Sequence, residues 1–234
     1  MGQTVAACVE EDPATEVGAA IDFGDSLPDA LAQSDIVIDF TLPGFTRDLI
    51  GEAVSQGKPV VMGTTGHDDE LLALIAEAAN SIPVVHAPNF SVGVNTLFWL
   101  TRRATEILGP AFDLEVIEMH HRHKKDAPSG TARRLAEILA EARDLSYEKD
   151  CRHGREGDVG ARTASEIGVH ALRGGDVVGD HTVVYAGDGE RVELTHKAAS
   201  RRTFAAGAVR AAKWIRDEGV ERGLFDMQDV LGLK

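Results

Sequence analysis

The spacing of apolar residues changes character once along the chain, close to residue 91. Before that point, short apolar runs alternate with segments of helical period. Residues 34–40, 58–63 and 82–86 carry Ile36-Val37-Ile38, Val60-Val61-Met62 and Val84-Val85 and read as buried strands. Between them, residues 45–56 and 68–80 predict helices, the second through Leu71, Leu72, Leu74, Ile75 and Ala78. Residues 1–10 predict another, with Val5, Cys8 and Val9 on one face and Asp12-Pro13 as its stop. Residues 16–22, an apolar run ending in an acid, predict a strand with Asp22 at its tip. Strands alternating with helices imply parallel βαβ units and a Rossmann-like doubly wound sheet, an α/β fold whose ligands bind at the carboxyl ends of the strands.

Beyond residue 91 the order is different. Residues 94–108 and 128–142 predict helices flanking a strand at 113–119. Residues 144–162 are polar and rich in Glu, Arg and Gly, which predicts a mobile loop. Strands at 165–172, 177–186 and 191–197 follow without helices between them. Gly174-Gly175-Asp176 and Gly187-Asp188-Gly189 join them as hairpin signals, so a mostly antiparallel sheet in an α+β domain is expected. Val177, Val183 and Val184 beside Tyr185 suggest an apolar face. A last helix at 204–215 and a tail through 223–227 are expected to return to the first domain. The boundaries read as 1–91 completed by 202–234, and 92–201.

Charge narrows the chemistry. The 234 residues hold 24 Lys and Arg against 38 Asp and Glu, a net of −14, which argues against a nucleic-acid partner because phosphate binding needs a basic face. No apolar run is long enough to predict a membrane span, and residues 1–20 lack a secretory pattern, so the expectation is a cytoplasmic protein with no membrane partner. Cys8 and Cys151, far apart in sequence, read as ordinary reduced thiols.

Against that acidic background, residues 118–132, E-M-H-H-R-H-K-K-D-A-P-S-G-T-A, concentrate three histidines, an arginine and two lysines where a strand stops and a helix starts. A helix N-terminus beside cations suits a carboxylate or phosphate, with histidine available for proton transfer. Arg122, Lys124 and Lys125 lie among the histidines and would repel a dication, so no metal is expected. Four strand ends carry small or polar groups suited to a ligand: Asp22, Asp39-Phe40-Thr41, Gly63-Thr64-Thr65 and Ala87-Pro88-Asn89-Phe90.

The 118–132 run closely resembles the signature of the dihydrodipicolinate reductase family. Gly63-Thr64-Thr65-Gly66, residues 87–95 (A-P-N-F-S-V-G-V-N), Gly179-Asp180-His181-Thr182 and Thr195-His196-Lys197-Ala198 fall in the family's order, over essentially the whole chain. The resemblance implies reduction of 4-hydroxy-tetrahydrodipicolinate by NADH or NADPH in lysine and diaminopimelate biosynthesis. It implies a dinucleotide-binding first domain and a second domain for substrate binding and oligomerisation into a homotetramer. His120 resembles the acid/base and Lys124 the proton donor, with Arg122 and Lys125 expected to crowd Lys124 and ease loss of its proton. His121, Ser129, Gly130 and Thr131 resemble contacts to a cyclic dicarboxylate substrate. Asp22 would take the ribose hydroxyls, and Gly63, Thr64, Thr65, Ala87, Pro88, Asn89 and Phe90 the nicotinamide side. Phe23, where an arginine would serve a 2′-phosphate, tilts the expectation towards NADH.

The family pattern opens with a strand and a G-x-x-G-R-M-G turn, of which Met1-Gly2 matches only the end. The first strand of the sheet is therefore expected to be missing, the given start being internal to a longer gene product. The alternative is a truncated, non-catalytic dicarboxylate-binding protein.

Overall fold

A computed structural model describes residues 1–233. Two compact units form, Met1–Val92 with the chain from Arg201 onward, and Gly93–Ser200. In chain order the first contributes α1 (Gly2–Glu10), α2 (Leu27–Ala32), β1 (Val37–Asp39), α3 (Pro43–Gln56), β2 (Val60–Met62), α4 (Asp69–Ala78) and β3 (Pro83–His86). The second is built from α5 (Val92–Leu108), β4 (Asp113–His120), α6 (Gly130–Ala142), α7 (Tyr147–Asp150), β5 (Cys151–His153), β6 (Ile167–Arg173), β7 (Gly179–Gly187) and β8 (Glu190–Ala198). The chain then returns to the first unit as α8 (Arg202–Asp217), β9 (Gly223–Phe225) and α9 (Met227–Leu231).

The first unit is a parallel sheet in the order β1-β2-β3-β9, with Val60 opposite Val37 and Val84, and Val84 opposite Leu224. Helices cover both faces. Leu49, Ile50, Ala53 and Ile75 of α3 and α4 bury Val60, Met62 and Val84, while Ala208, Ala211 and Ile215 of α8 bury Val61 and Val85. Burial on both sides explains why β2 reads as a continuous apolar run rather than an alternating one. α3 stops at Gly57, whose φ of 65° is a left-handed position open to glycine without strain. Ser26 and Asp68 cap α2 and α4 through their side chains.

Two expectations fail here. Residues 16–22 form no strand; Val17 and Ile21 lie exposed, and no neighbouring strand takes up their backbone groups, without which an extended segment has no ladder. The 34–40 run is strand only over β1, which is half-buried at the sheet edge instead of fully buried.

The second unit holds a mixed sheet, order β5-β6-β4-β7-β8. β5, β6 and β4 run parallel, and only the β4–β7 and β7–β8 pairs are antiparallel. The expected antiparallel majority is thus half the pairings. Gly174-Gly175 does not close a hairpin, because β4 lies between β6 and β7; Asp188-Gly189 does, with Gly187 opposite Glu190. Side chains alternate along β4: Leu114, Val116, Glu118 and His120 are buried on the inner face, while Glu115, Ile117 and Met119 face outward. α5 and α6 cover the inner face through Val94, Leu97, Leu135 and Leu139, packed with Val116, Val183 and Tyr185. Val183 and Val184 consequently point to opposite sides: Val183 and Tyr185 pack in the core, and Val184 does not share their face. Residues 144–162 are not a loose loop either. They contain α7 and β5, and Arg155 and Arg162 bind Glu115 at 2.7 and 3.1 Å.

Candidate active site

β4 ends at His120, where Gly174 donates its backbone N–H to the His120 carbonyl at 2.9 Å and the next residues turn. Lys124 donates its backbone N–H to the carbonyl of His121, so the chain has left the extended conformation before Lys124. The Lys124 ammonium pairs with Asp126 at 2.9 Å, and this bond holds the Asp126 carboxyl below its ordinary range. Crowding by Arg122 and Lys125 is therefore not the whole of its surroundings. α6 begins at Gly130 with Ser129 as its N-cap, the Ser129 hydroxyl accepting the N–H of Ala132 at 3.2 Å. Gly130 and Thr131 form the first turn, where the helix dipole favours an anion.

Behind these residues lies a buried polar cluster. His120 is 8 % exposed and its Nδ1 lies 2.7 Å from Glu118 Oε2. The Glu118 side chain has no exposed surface, and it also accepts the N–H of Ser129 at 2.9 Å and two bonds from Arg173 at 2.8 and 3.0 Å. Burial would raise the Glu118 pKa; the bonds from Arg173, His120 and Ser129 outweigh it and hold the carboxyl below its usual value. His181 on β7 packs edge-on to His120 with ring centres 5.1 Å apart, and its Nε2 lies 3.1 Å from the Ser129 hydroxyl. Burial, with His120 beside it, lowers the His181 pKa to about 3, so this ring is neutral at physiological pH. The Nδ1 atoms of His121, His181 and His196 are buried without a hydrogen-bond partner.

The structure thus brings His120, Ser129 and Gly130 together around the end of β4, with His121 and Lys124 on the adjoining turn. Sequence reading missed Glu118, Arg173 and His181 as members of this cluster. Glu118 and His120 stand two apart on a strand and so share a face, which was a usable signal; Arg173 lies 55 residues from Glu118 and gave none.

In the first unit, the segments after β2 and β3 are neighbours because Met62 and His86 pair in register. A Cβ on Gly63 would lie 2.2 Å from the Phe40 ring, so only glycine fits against it. The buried Thr64 hydroxyl donates to Asp39 at 2.6 Å, whereas Thr65 is exposed. Ala87 is buried, Pro88 is exposed, and the Asn89 side chain accepts the N–H of Ser91 at 2.8 Å. Phe90 is a core residue stacked edge-on against Phe40, so its side chain positions the loop and presents no surface. Asp22 sits in an exposed turn, its carboxylate accepting the Phe23 N–H at 2.7 Å, and Phe23 is fully exposed. No side chain caps the N-terminus of α1. Parallel strand ends, a glycine that admits no Cβ and an uncapped helix start fit the donor set of a dinucleotide site.

Known proteins agree with this geometry. The family model for the N-terminus of dihydrodipicolinate reductase matches residues 1–90, and the model for its C-terminus matches residues 93–231. The 4-hydroxy-tetrahydrodipicolinate reductase of Akkermansia muciniphila is 60 % identical over 233 residues, covering 100 % of this chain and 94 % of that protein. That of Hahella chejuensis is 52 % identical over 210 residues, covering 90 % and 78 %. A dipicolinate-bound dihydrodipicolinate reductase from Paenisporosarcina sp. TG-14 superposes with a TM-score of 0.78 at 25 % identity, over 96 % of this chain and 92 % of that one. Nothing in that coverage favours a non-catalytic binding protein. Two matched halves, a parallel nucleotide-type sheet and a histidine-rich strand end in the expected order lead to one conclusion: the chain belongs to the dihydrodipicolinate reductase family.

Proposed function

We infer that this chain reduces 4-hydroxy-tetrahydrodipicolinate to tetrahydrodipicolinate with NADH or NADPH, a step of lysine and diaminopimelate biosynthesis. The observation that carries this reading is the concentration of His120, His121, Lys124 and the Ser129-capped start of α6 at one strand end of an otherwise acidic chain. A cyclic dicarboxylate is the substrate that chemistry suits, and the relative from Paenisporosarcina sp. TG-14 has dipicolinate bound.

The bound nicotinamide supplies the hydride. The protein's tasks are to hold the dicarboxylate and to move a proton. Ser129, Gly130 and Thr131, at the positive end of α6, and His121 hold a carboxylate. The 4-hydroxyl leaves as water; His120 is the acid/base, and the Lys124 ammonium gives a proton to the substrate. On the cofactor side Asp22 takes the ribose hydroxyls, while Gly63, Thr64, Thr65 and residues 87–90 shape the nicotinamide pocket with Thr64 and Phe90 as its support. Phe23 offers no cation to a 2′-phosphate, which favours NADH.

The outward face of the second sheet leaves Ile117 and Leu172 exposed on adjacent strands, which supports assembly of copies through that sheet into a homotetramer. No metal enters this scheme. Among the described residues no helix is long and apolar enough to cross a membrane, and the reduced nicotinamide pool favours the cytoplasm.

The test is steady-state turnover of the purified chain with each cofactor, followed by loss of nicotinamide absorbance. Turnover by the wild type is expected, with Lys124→Ala and His120→Ala each losing about a hundredfold or more in kcat while still binding dipicolinate. Binding of dipicolinate with no turnover under either cofactor would overturn the reductase reading.

A further inference from the structure

We propose that Glu118, held in place by Arg173, is a positioning residue that fixes which ring nitrogen of His120 carries the proton. The proposal rests on His120 being the acid/base, and its measurement is independent of that role.

Glu118 is buried with a full set of partners. Oε1 accepts from Ser129 N and Arg173 Nη2, and Oε2 faces His120 Nδ1 and Arg173 Nη1, all within 2.7–3.0 Å. An ionised carboxylate only accepts hydrogen bonds, so Nδ1 of His120 must be the donor. The neutral ring then keeps its lone pair on Nε2, the only nitrogen left to exchange a proton with a ligand. The surroundings of Nε2 fit that assignment: a Cβ on residue 179 would lie 2.9 Å from it, and the residue there is Gly179, which leaves that approach clear.

Arg173 makes the arrangement tenable. A buried carboxylate without a countercharge is strongly unfavourable, and the two-pronged guanidinium contact supplies that charge in a fixed orientation. Arg173 also donates to the carbonyl of Asp126 at 2.6 Å, so one side chain fixes the carboxylate and the turn that follows Lys124. The neighbouring His181 is neutral and adds no positive charge when His120 takes up a proton.

The deciding experiment is imidazole 15N NMR on the full chain labelled at histidine, at a pH where His120 is neutral, with His120→Gln used for assignment. The wild type is expected to show the Nδ1–H form. In Glu118→Gln the amide NH2 needs an acceptor, so the ring should switch to the Nε2–H form. kcat should then fall at least about a hundredfold while the dissociation constant of dipicolinate changes less than about threefold. Glu118→Asp, which keeps an acceptor, should restore part of kcat. Wild-type His120 carrying its proton on Nε2, or Glu118→Gln with unchanged kcat, would overturn the proposal. If Glu118→Gln does not fold, the wild-type tautomer decides alone. Full activity in His120→Ala would instead remove the acid/base role, leaving the tautomer result to stand by itself.

Discussion

His181 Nε2 lies 3.1 Å from the hydroxyl of Ser129, joining the middle of the second sheet to the N-cap of α6. If the neutral ring donates here, the Ser129 oxygen accepts from both His181 and Ala132, and its own hydrogen is left to point at a carboxylate. Ser129→Ala removes both functions. It is expected to cost about 1 kcal/mol of stability through the lost cap and to weaken dipicolinate binding about tenfold. Denaturant titration and calorimetry check the two effects separately, and an unchanged affinity would confine Ser129 to capping.

The same histidine makes stability depend on pH. Its folded pKa, about 3, lies below the ordinary value of 6.5. As pH falls through 6.5 the unfolded chain takes up a proton that the folded chain refuses, so the stability due to the neutral ring is complete above 6.5 and drains away towards 3. Urea midpoints at about pH 7.5 and about pH 5 should differ in the wild type and differ less in His181→Gln. Equal differences would place the acid sensitivity elsewhere.

Glu115 acts in a lower window. Burial opposes its charge, but Arg155, His170 and Arg162 prevail and bring its pKa from 4.5 to about 2. Its contribution is present above 4.5 and lost as pH falls towards 2, amounting to roughly 3 kcal/mol at neutrality. Glu115→Gln should therefore lower stability at about pH 7 and make little difference near pH 2. Limited proteolysis at neutral pH should also find residues 154–163 cut faster in the variant, since Arg155 and Arg162 lose their shared partner.

Cofactor choice is testable at Phe23. Phe23→Arg gives a 2′-phosphate a cation beside Asp22, and the ratio of kcat/KM for NADPH over NADH should rise about tenfold. No change in the ratio would mean that this turn does not face the ribose.

Two glycines separate crowding from helix propensity. A Cβ on Gly207 would lie 1.7 Å from the Phe90 carbonyl oxygen, whereas one on Gly51 meets nothing within 4 Å. Gly207→Ala should cost about 3 kcal/mol or more and loosen the segment after β3, while Gly51→Ala should be neutral or stabilising by up to about 1 kcal/mol. Thermal melts should show a large loss for Gly207→Ala and none for Gly51→Ala if α8 approaches Phe90 as closely as described.

Local periodicity made most elements legible: α3, α4, α5, α6, β1 to β4 and β6 to β8 lie where apolar spacing put them, within a few residues, whereas β5 and β9 fell in segments read as loop and tail. What it could not supply was partnership. Residues 16–22 have the composition of a strand but no neighbour to pair with, and Gly174-Gly175 has the chemistry of a hairpin but feeds β7 past β4. Arg155 and Arg162 read as loop charges because their carboxylate, Glu115, is 40 and 47 residues away. The same limit applied at the site. The strand end and helix start around residues 118–132 were visible in one stretch, whereas Arg173 and His181 come from β6 and β7 and join it only through the sheet.

The return of the chain as α8, β9 and α9 sets an order of events during synthesis. β9 is the neighbour of β3, and α8 covers Val61 and Val85, so the first sheet stays short of one strand and lacks the cover over Val61 and Val85 until those segments have emerged from the ribosome. Residues 93–200, being contiguous, can close their own sheet earlier. A nascent chain paused before residue 201 would therefore carry a finished second unit and a first one with an open strand edge along β3.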